Sequence, residues 1–152
     1  MTRVWRIVKE TRAGETFSGE GARRAGGRFN GPGRPVIYTS ESLALAQLGI
    51  LVNLPTERLL SSYVAFRAEI PEGHVETLRR EELTENWRRA PAPDSVKGIP
   101  GRWLRSERSL ALQVPSAVVP AEDNVLINPN HPAFGDVETE GPFDPEIDDR
   151  LQ

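Results

Sequence analysis

The 152-residue sequence contains no cysteine, which excludes a disulfide framework and any zinc site built from cysteine ligands. It also lacks a long apolar run: the longest, residues 43–52, is far shorter than the ~20 residues that span a bilayer. Residues 1–12 have no apolar segment of the kind found in signal peptides. We therefore expect a protein that does not contact a membrane, and this composition is compatible with a reducing cytoplasm.

Histidine is nearly absent, and the two histidines, His74 and His131, lie in unrelated sequence contexts. No cluster of histidine and acidic residues has the spacing of a metal-ligand set. We therefore expect no metal ion.

A strong net charge is also lacking, since the chain carries −3 with a pI of 5.5, but its charge is unevenly distributed. Residues 136–152 hold seven acids and one arginine, whereas residues 1–35 hold eight basic residues and three glutamates. The basic segment is either part of a solvated mixed-charge surface or a rim that attracts a pyrophosphate. Direct nucleic-acid binding is disfavoured, because no basic stripe with interleaved aromatic residues is present.

The remaining composition, 38% hydrophobic and 27% charged, is ordinary for a soluble globular protein and predicts one domain over residues 1–152. We expect residues 136–152 to be an acidic surface tail, partly docked through Phe143. Hydrophobic patterns predict a compact α/β domain with mixed strands and few helices. The predicted strands are 3–9, 36–39, 60–70, 75–78, 109–114, 117–119 and 125–127, and the predicted helices are 41–54, 81–89 and 103–108.

Residues 26–54 organise the chain as a Gly-rich loop, a short strand and a helix. The helix is apolar on almost every side, which predicts a core helix, with Ser40 or Thr39 as its N-cap. Glu41 is expected to favour the helix dipole. Gly49 interrupts the apolar pattern and costs about 1 kcal/mol relative to alanine.

Two residues of this stretch are candidates for ligand contact. Residues 10–35 hold seven of the thirteen glycines, and long loops of this kind are usually functional. The planar fork of Arg28 can bind a phosphate or carboxylate in a bidentate manner, although a weak surface ion pair is the alternative. Tyr38 is either a half-buried packing residue or a platform on which a ring stacks.

Ser116 follows Pro115, which indicates a strand edge or bulge. A bulge can aim a hydroxyl into a pocket, but the hydroxyl can equally satisfy its own turn. No G-x-S-x-G motif surrounds Ser116, so we do not expect a serine-hydrolase nucleophile.

Four ordered blocks of the chain resemble the RES-domain family. They are SGEGARRAGG at residues 18–27, GGRFNGPGRPVIYTSESLALAQLGILVNL at 26–54, SLALQVPSAVVP at 109–120 and NVLINPNHPAF at 124–134. The resemblance implies the toxin half of a bacterial toxin–antitoxin system that destroys or uses NAD. It also implies an ADP-ribosyltransferase-like fold of split mixed sheets around an NAD cleft.

The resemblance assigns roles to individual residues. Arg28 would clamp the phosphates or ribose of NAD, Tyr38 would stack on the nicotinamide ring, and Ser116 would fix the nicotinamide side. Asn30 is implied to bond nearby. The family's glutamate falls eleven residues after Tyr38, and that position is Gly49 here.

Without this carboxylate we expect the chain to be inactive, because the electrostatic and acid–base contributions are each typically worth about 10²-fold or more. Either the acid was replaced to remove toxicity, which the mid-helix penalty of glycine favours, or the chain is a natural pseudo-toxin that binds NAD without reacting. A module that only binds a partner is the rival hypothesis. Hydrolysis, phosphorolysis and ADP-ribosyl transfer all remain open for the active form.

The resemblance also implies a partner. Toxins of this family are encoded with an Xre-like helix-turn-helix antitoxin, so we expect a hetero-oligomeric complex that contacts DNA only through the antitoxin.

Overall fold

The computed structural model describes residues 1–53 and 62–151, which contain seven strands and three α-helices. The strands are β1 (Thr2–Lys9), β2 (Ile37–Ser40), β3 (Tyr63–Ile70), β4 (Val75–Thr77), β5 (Ala111–Pro115), β6 (Asp123–Ile127) and β7 (Glu138–Phe143). The helices are α1 (Glu20–Ala25), α2 (Leu43–Leu51) and α3 (Gly98–Ser106). The strands form one sheet in the order β4-β5-β6-β2-β1-β3-β7, with β4 and β5 parallel. This mixed architecture with few helices confirms the predicted fold class.

The sheet is almost divided between β1 and β2. These strands are in register only where Trp5 lies opposite Ser40, whereas β1 pairs with β3 along its whole length. Two half-sheets result, β4-β5-β6-β2 and β1-β3-β7, and Arg6 of β1 joins them by donating from Nη1 to Tyr38 O at 2.7 Å. The predicted split is therefore present as a divergence within one continuous sheet.

The core lies on both half-sheets. Helix α3 contributes Trp103 and Leu104 to a cluster with Leu112 and Leu126 of β5 and β6. Trp103 is buried and its Nε1 donates to Ser109 Oγ at 2.9 Å, so this tryptophan anchors α3 to the core. Helix α2 instead packs Ala46 near Ile7 of β1.

Helix α2 differs from its prediction as a core helix over residues 41–54. Its buried residues are Leu45 and Ala46, and Leu48 is exposed. The predicted N-cap was wrong, because Ser42 Oγ accepts from Leu45 N at 3.0 Å. The hydroxyl of Thr39 is engaged in the sheet, where it donates to Val125 O. Residue 54, the predicted end of the helix, lies outside the described residues.

Several connecting segments also differ from their predictions. In place of the predicted helix 81–89 there is a short 3-10 helix, Arg80–Glu82, followed by turns. Residues 117–119 form a turn rather than a strand. Residues 90–101, to which the sequence assigned no helix or strand, contain the buried Val96 and the first residues of α3. The predicted strand 60–70 is observed as β3, and its first two residues lie outside the described chain.

The acidic segment 136–152 is not simply a surface tail. Strand β7 pairs with β3 at the edge of the sheet. Phe143 packs edge-on against Trp5, with ring centroids 5.9 Å apart, which confirms its docking role. The segment joins the sheet because β3 has backbone N–H and C=O groups that β1 does not pair. This pairing uses the backbone, so the negative charge of the side chains does not prevent it.

Candidate functional site

A cavity of about 490 Å³ lies where β1 and β2 diverge. Its wall consists of β1, the Gly-rich segment before β2, the last turns of α2 and the turn at residues 117–118. This volume falls within the range of small-molecule sites, about 300–1,000 Å³. Of the residues singled out from the sequence, Arg28, Tyr38 and Gly49 line this cavity.

The side chain of Arg28 is held at the cavity wall by two backbone carbonyls. Its Nη1 donates to Trp87 O at 3.0 Å and to Arg89 O at 2.9 Å. Burial lowers the pKa of Arg28, and the nearby Tyr38 hydroxyl opposes that shift. Both bonds use one nitrogen, so the guanidinium keeps further N–H groups for a ligand.

Tyr38 connects β2 to the Gly-rich loop through its hydroxyl. The hydroxyl donates to Asn30 Oδ1 at 2.6 Å and accepts from Phe29 N at 3.0 Å. Burial raises the pKa of Tyr38 to about 12, so the phenol is neutral at pH 7. A Cβ at Gly27 would lie 2.6 Å from the Tyr38 hydroxyl oxygen, so the approach requires glycine.

Asn30 is a buried part of this network and does not line the cavity. Its Nδ2 donates to Ala22 O and Gly31 O, and its Oδ1 accepts from Tyr38. Both ends of the Asn30 amide are therefore engaged within the protein, and the role of Asn30 in this structure is to position the Tyr38 hydroxyl. Direct ligand contact by Asn30 stays a prediction.

Ser116 is also buried, with 1% of its surface exposed, and does not line the cavity. Its Oγ accepts from Val118 N and Val119 N, both at 3.1 Å. The hydroxyl thus organises its own turn, which places Ala117 and Val118 at the cavity wall. Contact between Ser116 and a ligand stays a prediction.

Gly49 lies on the side of α2 that borders the cavity, and a Cβ added there meets no atom within 4 Å. Its carbonyl accepts from Asn53 Nδ2 at 3.0 Å. The position therefore has room for a side chain. Glu41, by contrast, precedes the N-cap of α2 and accepts from Asp123 N, so its predicted helix-opening role was wrong.

The sequence interpretation missed Arg6, Arg12 and Asn124, which also line the cavity. Asn124 Nδ2 donates to Thr39 O and Ser40 Oγ, which ties β6 to β2. The signal for Arg6 was a single cation within the apolar run VWRIV. Burial lowers the pKa of Arg6 to about 10, so the side chain is still a cation at neutral pH.

The described residues include no group of three histidine, cysteine or acidic side chains that could hold a metal ion. The fold does bring His74 and His131 together, with ring centroids 6.4 Å apart, although their sequence contexts are unrelated. No helix in the described stretches combines the length and apolar character needed to cross a membrane.

Comparison with known proteins relates most of the chain to one family. A sequence model of the RES domain matches residues 3–149. Toxin Res of Yersinia enterocolitica is 40% identical over 131 residues, which are 86% of this chain and 86% of that protein. The Prs ADP-ribosylating toxin of a Sphingobium species is 35% identical over 136 residues, covering 86% of this chain and 84% of that protein.

The fold has a solved counterpart. A chain in the crystal structure of the M. tuberculosis MbcT–MbcA toxin–antitoxin complex superposes with a TM-score of 0.76. The match covers 94% of this chain and 84% of that chain at 18% sequence identity, which is a likeness of fold.

Proposed function

This chain belongs to the RES-domain family, and from that premise we propose that it is the toxin component of a bacterial toxin–antitoxin system with NAD as its substrate. The observation that carries the proposal is the meeting of Arg28, Tyr38 and position 49 in one cavity. The printed name of the Sphingobium relative, an ADP-ribosylating toxin, supports chemistry at the ribose of NAD.

The proposed reaction breaks the bond between nicotinamide and ribose. Departure of nicotinamide leaves positive charge on the ribose, and a carboxylate at position 49 would stabilise that charge. Arg28 would hold the phosphates or ribose, and the ring of Tyr38 would support the nicotinamide. The acceptor of the ADP-ribosyl group is water, phosphate or a protein.

The present chain lacks that carboxylate, so we propose that it binds NAD without turning it over. Two other acids, Glu15 and Glu20, line the cavity, but Glu20 is paired with Arg23 at 2.7 Å. The absence of a side chain at Gly49 also supports a second candidate function, a non-catalytic homologue that binds NAD or a partner. Titration with NAD distinguishes a chain that binds NAD, whether or not it can react, from a module that binds only a partner.

Replacing Gly49 with glutamate tests the proposal. The substitution should be tolerated, because a Cβ added at position 49 has no atom within 4 Å. We expect Gly49→Glu to release nicotinamide from NAD at least about 10²-fold faster than the parent chain. Expression of Gly49→Glu without an antitoxin should also arrest growth. The matched control is Gly49→Gln, which has nearly the same shape and no charge.

The outcome is read by product analysis with water, phosphate and protein acceptors. A folded Gly49→Glu protein that leaves NAD intact under all three conditions would show that position 49 does not carry the catalytic acid. Equal rates for Gly49→Glu and Gly49→Gln would show that charge is not the missing element. No NAD binding by the parent chain would favour the partner-binding module.

We further propose that the partner is an Xre-like helix-turn-helix antitoxin in the cytoplasm, and that contact with DNA occurs only through it. The structural counterpart was crystallised in a toxin–antitoxin complex, which supports an antitoxin partner. The net charge of −3 argues against direct binding of this chain to an operator.

A further inference from the structure

A second cavity, of about 480 Å³, lies beside the start of β3 and the end of β7. Its described wall consists of Glu10, Tyr63 and Val64 together with residues 142–147 and Asp149. No described residue lines both this cavity and the cleft where β1 and β2 diverge, so the two sites are separate. The volume of the second cavity is also within the range of small-molecule sites, about 300–1,000 Å³.

The second cavity is negatively charged. Its wall carries four carboxylates, which belong to Glu10, Asp144, Glu146 and Asp149. The described part of the wall includes no lysine, arginine or histidine, and none of the ion pairs within the described residues uses these four acids. All four are exposed to water, so their charge alone would attract cations only weakly.

Tyr63 differs from these carboxylates because it is buried, with 8% of its surface exposed. Its ring packs in a cluster with Ile7, Ala46 and Ala65, and its hydroxyl has no hydrogen-bond partner in the part of the chain that the structure describes. The one unpaired side-chain atom there that is fully shielded from solvent is Nε of Arg6, so the Tyr63 hydroxyl faces accessible space. The second cavity, which Tyr63 lines, is that space. A largely buried hydroxyl without a partner is unusual, and a ligand in the cavity would supply one.

The shape of the charge distribution favours an extended organic cation. The described residues contain no group of three acidic or histidine side chains that could hold a metal ion, so the four carboxylates do not converge on one point. The rest of the wall is apolar, and it is formed by Val64, Pro142, Phe143, Pro145 and Ile147. A ligand with separated positive groups on an apolar stem matches both features, and the rings of Tyr63 and Phe143 also attract ammonium groups.

We propose that the second cavity binds an aliphatic chain that bears two or more ammonium groups. Oη of Tyr63 accepts a hydrogen bond from one ammonium group, and the carboxylates of Glu10 and Glu146 pair with the others. Such a chain is either a free polyamine or a lysine-bearing segment of a partner protein. The proposal goes beyond the NAD function and does not depend on it, because the two cavities share no described residue.

The competing explanation is unspecific attraction of cations to the acidic segment 136–152. Such attraction depends on charge alone, so every exposed carboxylate of the segment contributes alike and the hydroxyl of Tyr63 has no influence. A built site behaves differently. It loses affinity when the hydroxyl is removed without any change of charge, and it distinguishes carboxylates inside the cavity from those outside it.

The test titrates spermidine, a capped trilysine peptide and MgCl₂ into the full chain by calorimetry at fixed ionic strength. The variants are Tyr63→Phe, which keeps the ring, and the double substitution Glu10→Gln with Glu146→Gln. Glu138→Gln is the matched control, because Glu138 is an exposed acid of β7 that does not line the second cavity. The melting temperature of Tyr63→Phe should equal that of the parent, since the hydroxyl makes no bond within the described chain.

We expect saturable binding of spermidine or trilysine that Tyr63→Phe weakens by about tenfold or more, the size of a lost hydrogen bond to a charged group. The double variant should weaken it by about fivefold or more, and Glu138→Gln should change it by less than about twofold. The weak Mg²⁺ binding should be the same in Tyr63→Phe and the parent.

The two organic probes distinguish the sources of the ligand. Binding of spermidine supports a free polyamine, whereas binding of trilysine alone supports a lysine-bearing segment of a partner. Absence of saturable binding by both probes would overturn the proposal. Equal losses in Glu138→Gln and the double variant, with no effect of Tyr63→Phe, would establish unspecific attraction instead. If Tyr63→Phe does not fold, the comparison of the double variant with Glu138→Gln decides. NAD titrated into the same variants should bind as to the parent, so failure of either proposal leaves the other standing.

Discussion

At the scale of single residues, the hydroxyl of Tyr38 connects two segments that form the cavity wall. It donates to Asn30 Oδ1 and accepts from Phe29 N, so one oxygen links β2 to two points of the Gly-rich loop. Ionisation would destroy the donated bond and place a negative charge in a buried position. Burial is the largest cause of the raised pKa, about 12, which outweighs the lowering by the two backbone contacts and by Arg28.

This pKa gives a direct prediction. In a Tyr63→Phe background Tyr38 is the one remaining tyrosine, and its phenolate absorbance should appear near pH 12 rather than near 10. Between about pH 10 and about 12 the unfolded chain has lost the Tyr38 proton while the folded chain retains it. The contribution of Tyr38 to stability is therefore full below pH 10 and lost as the pH rises through this window.

Ultraviolet titration of the folded protein, followed by urea unfolding at several alkaline pH values, checks both statements. Tyr38→Phe serves as the control, because it removes the titrating group and should lose this part of the alkaline dependence. A phenolate signal already complete at pH 10 in folded protein would contradict the described hydrogen-bond network.

At the scale of the element, α2 combines a weak helix residue with an open surface. Gly49 is partly exposed, has helical backbone and gains no contact from the space beside it. Leu48 is 38% exposed and Val52 is 61% exposed, so this end of the segment is not stabilised by deep burial. The stability of the last turn therefore depends strongly on intrinsic helix propensity.

We expect Gly49→Ala to raise the free energy of unfolding by about 1 kcal/mol, because alanine loses less backbone entropy and meets no atom within 4 Å. Urea denaturation with an unchanged m-value measures this gain. Gly31→Ala is the control: an added Cβ there is equally unobstructed, but the residue lies in a loop.

Gly31→Ala should give a smaller gain than Gly49→Ala, since it lacks the helix contribution. A loss of stability in Gly49→Ala would mean that the space beside position 49 is not open in solution. The variant should remain unable to turn over NAD, because alanine supplies no carboxylate.

At the scale of the whole molecule, the split sheet and the charge distribution create one basic cleft in an acidic protein. The cavity is lined by Arg6, Arg12 and Arg28 together with Glu15 and Glu20, so its lining has a basic excess, while the acidic strand β7 lies at the edge of the sheet. Such separation of charge favours an anionic ligand or a carboxylate-bearing segment of a partner at the cleft.

We therefore predict that the cognate antitoxin neutralises the toxin by occupying the cleft, and that it binds this Gly49 chain as well. Adding the antitoxin should weaken NAD binding by about tenfold or more at saturating concentration, because both ligands use the same cations. Calorimetric titration of NAD into the preformed complex measures the effect, with an unrelated helix-turn-helix protein as the control. Equal NAD affinity for the free chain and the complex would place the inhibition elsewhere.

The sequence alone determined the features that depend on neighbours a few residues apart. The Val, Ile and Trp content of residues 3–9 was sufficient to predict β1. The alternation in residues 60–70 was sufficient to predict β3, because side chains of a strand alternate between its two faces. The Gly-rich loop made Arg28 a candidate, and the resemblance to the RES-domain family pointed to Tyr38 and position 49; all three lie in one cavity. Helix α2 was also found from its composition, although its cap and its exposure were not.

Only the tertiary structure decided the features that depend on distant partners. Arg6 bonds to a residue 32 positions away, and Arg28 is held by carbonyls 59 and 61 positions away. The Ser116 hydroxyl had two possible uses, a pocket or its own turn, and local pattern could not choose between them. Thr39 does not cap α2 because its hydroxyl donates a hydrogen bond to Val125 O of β6. The acidic segment forms β7 because it pairs with the edge of β3. In each case a polar group bonds to whichever partner the completed fold brings within reach, and sequence spacing does not contain that distance.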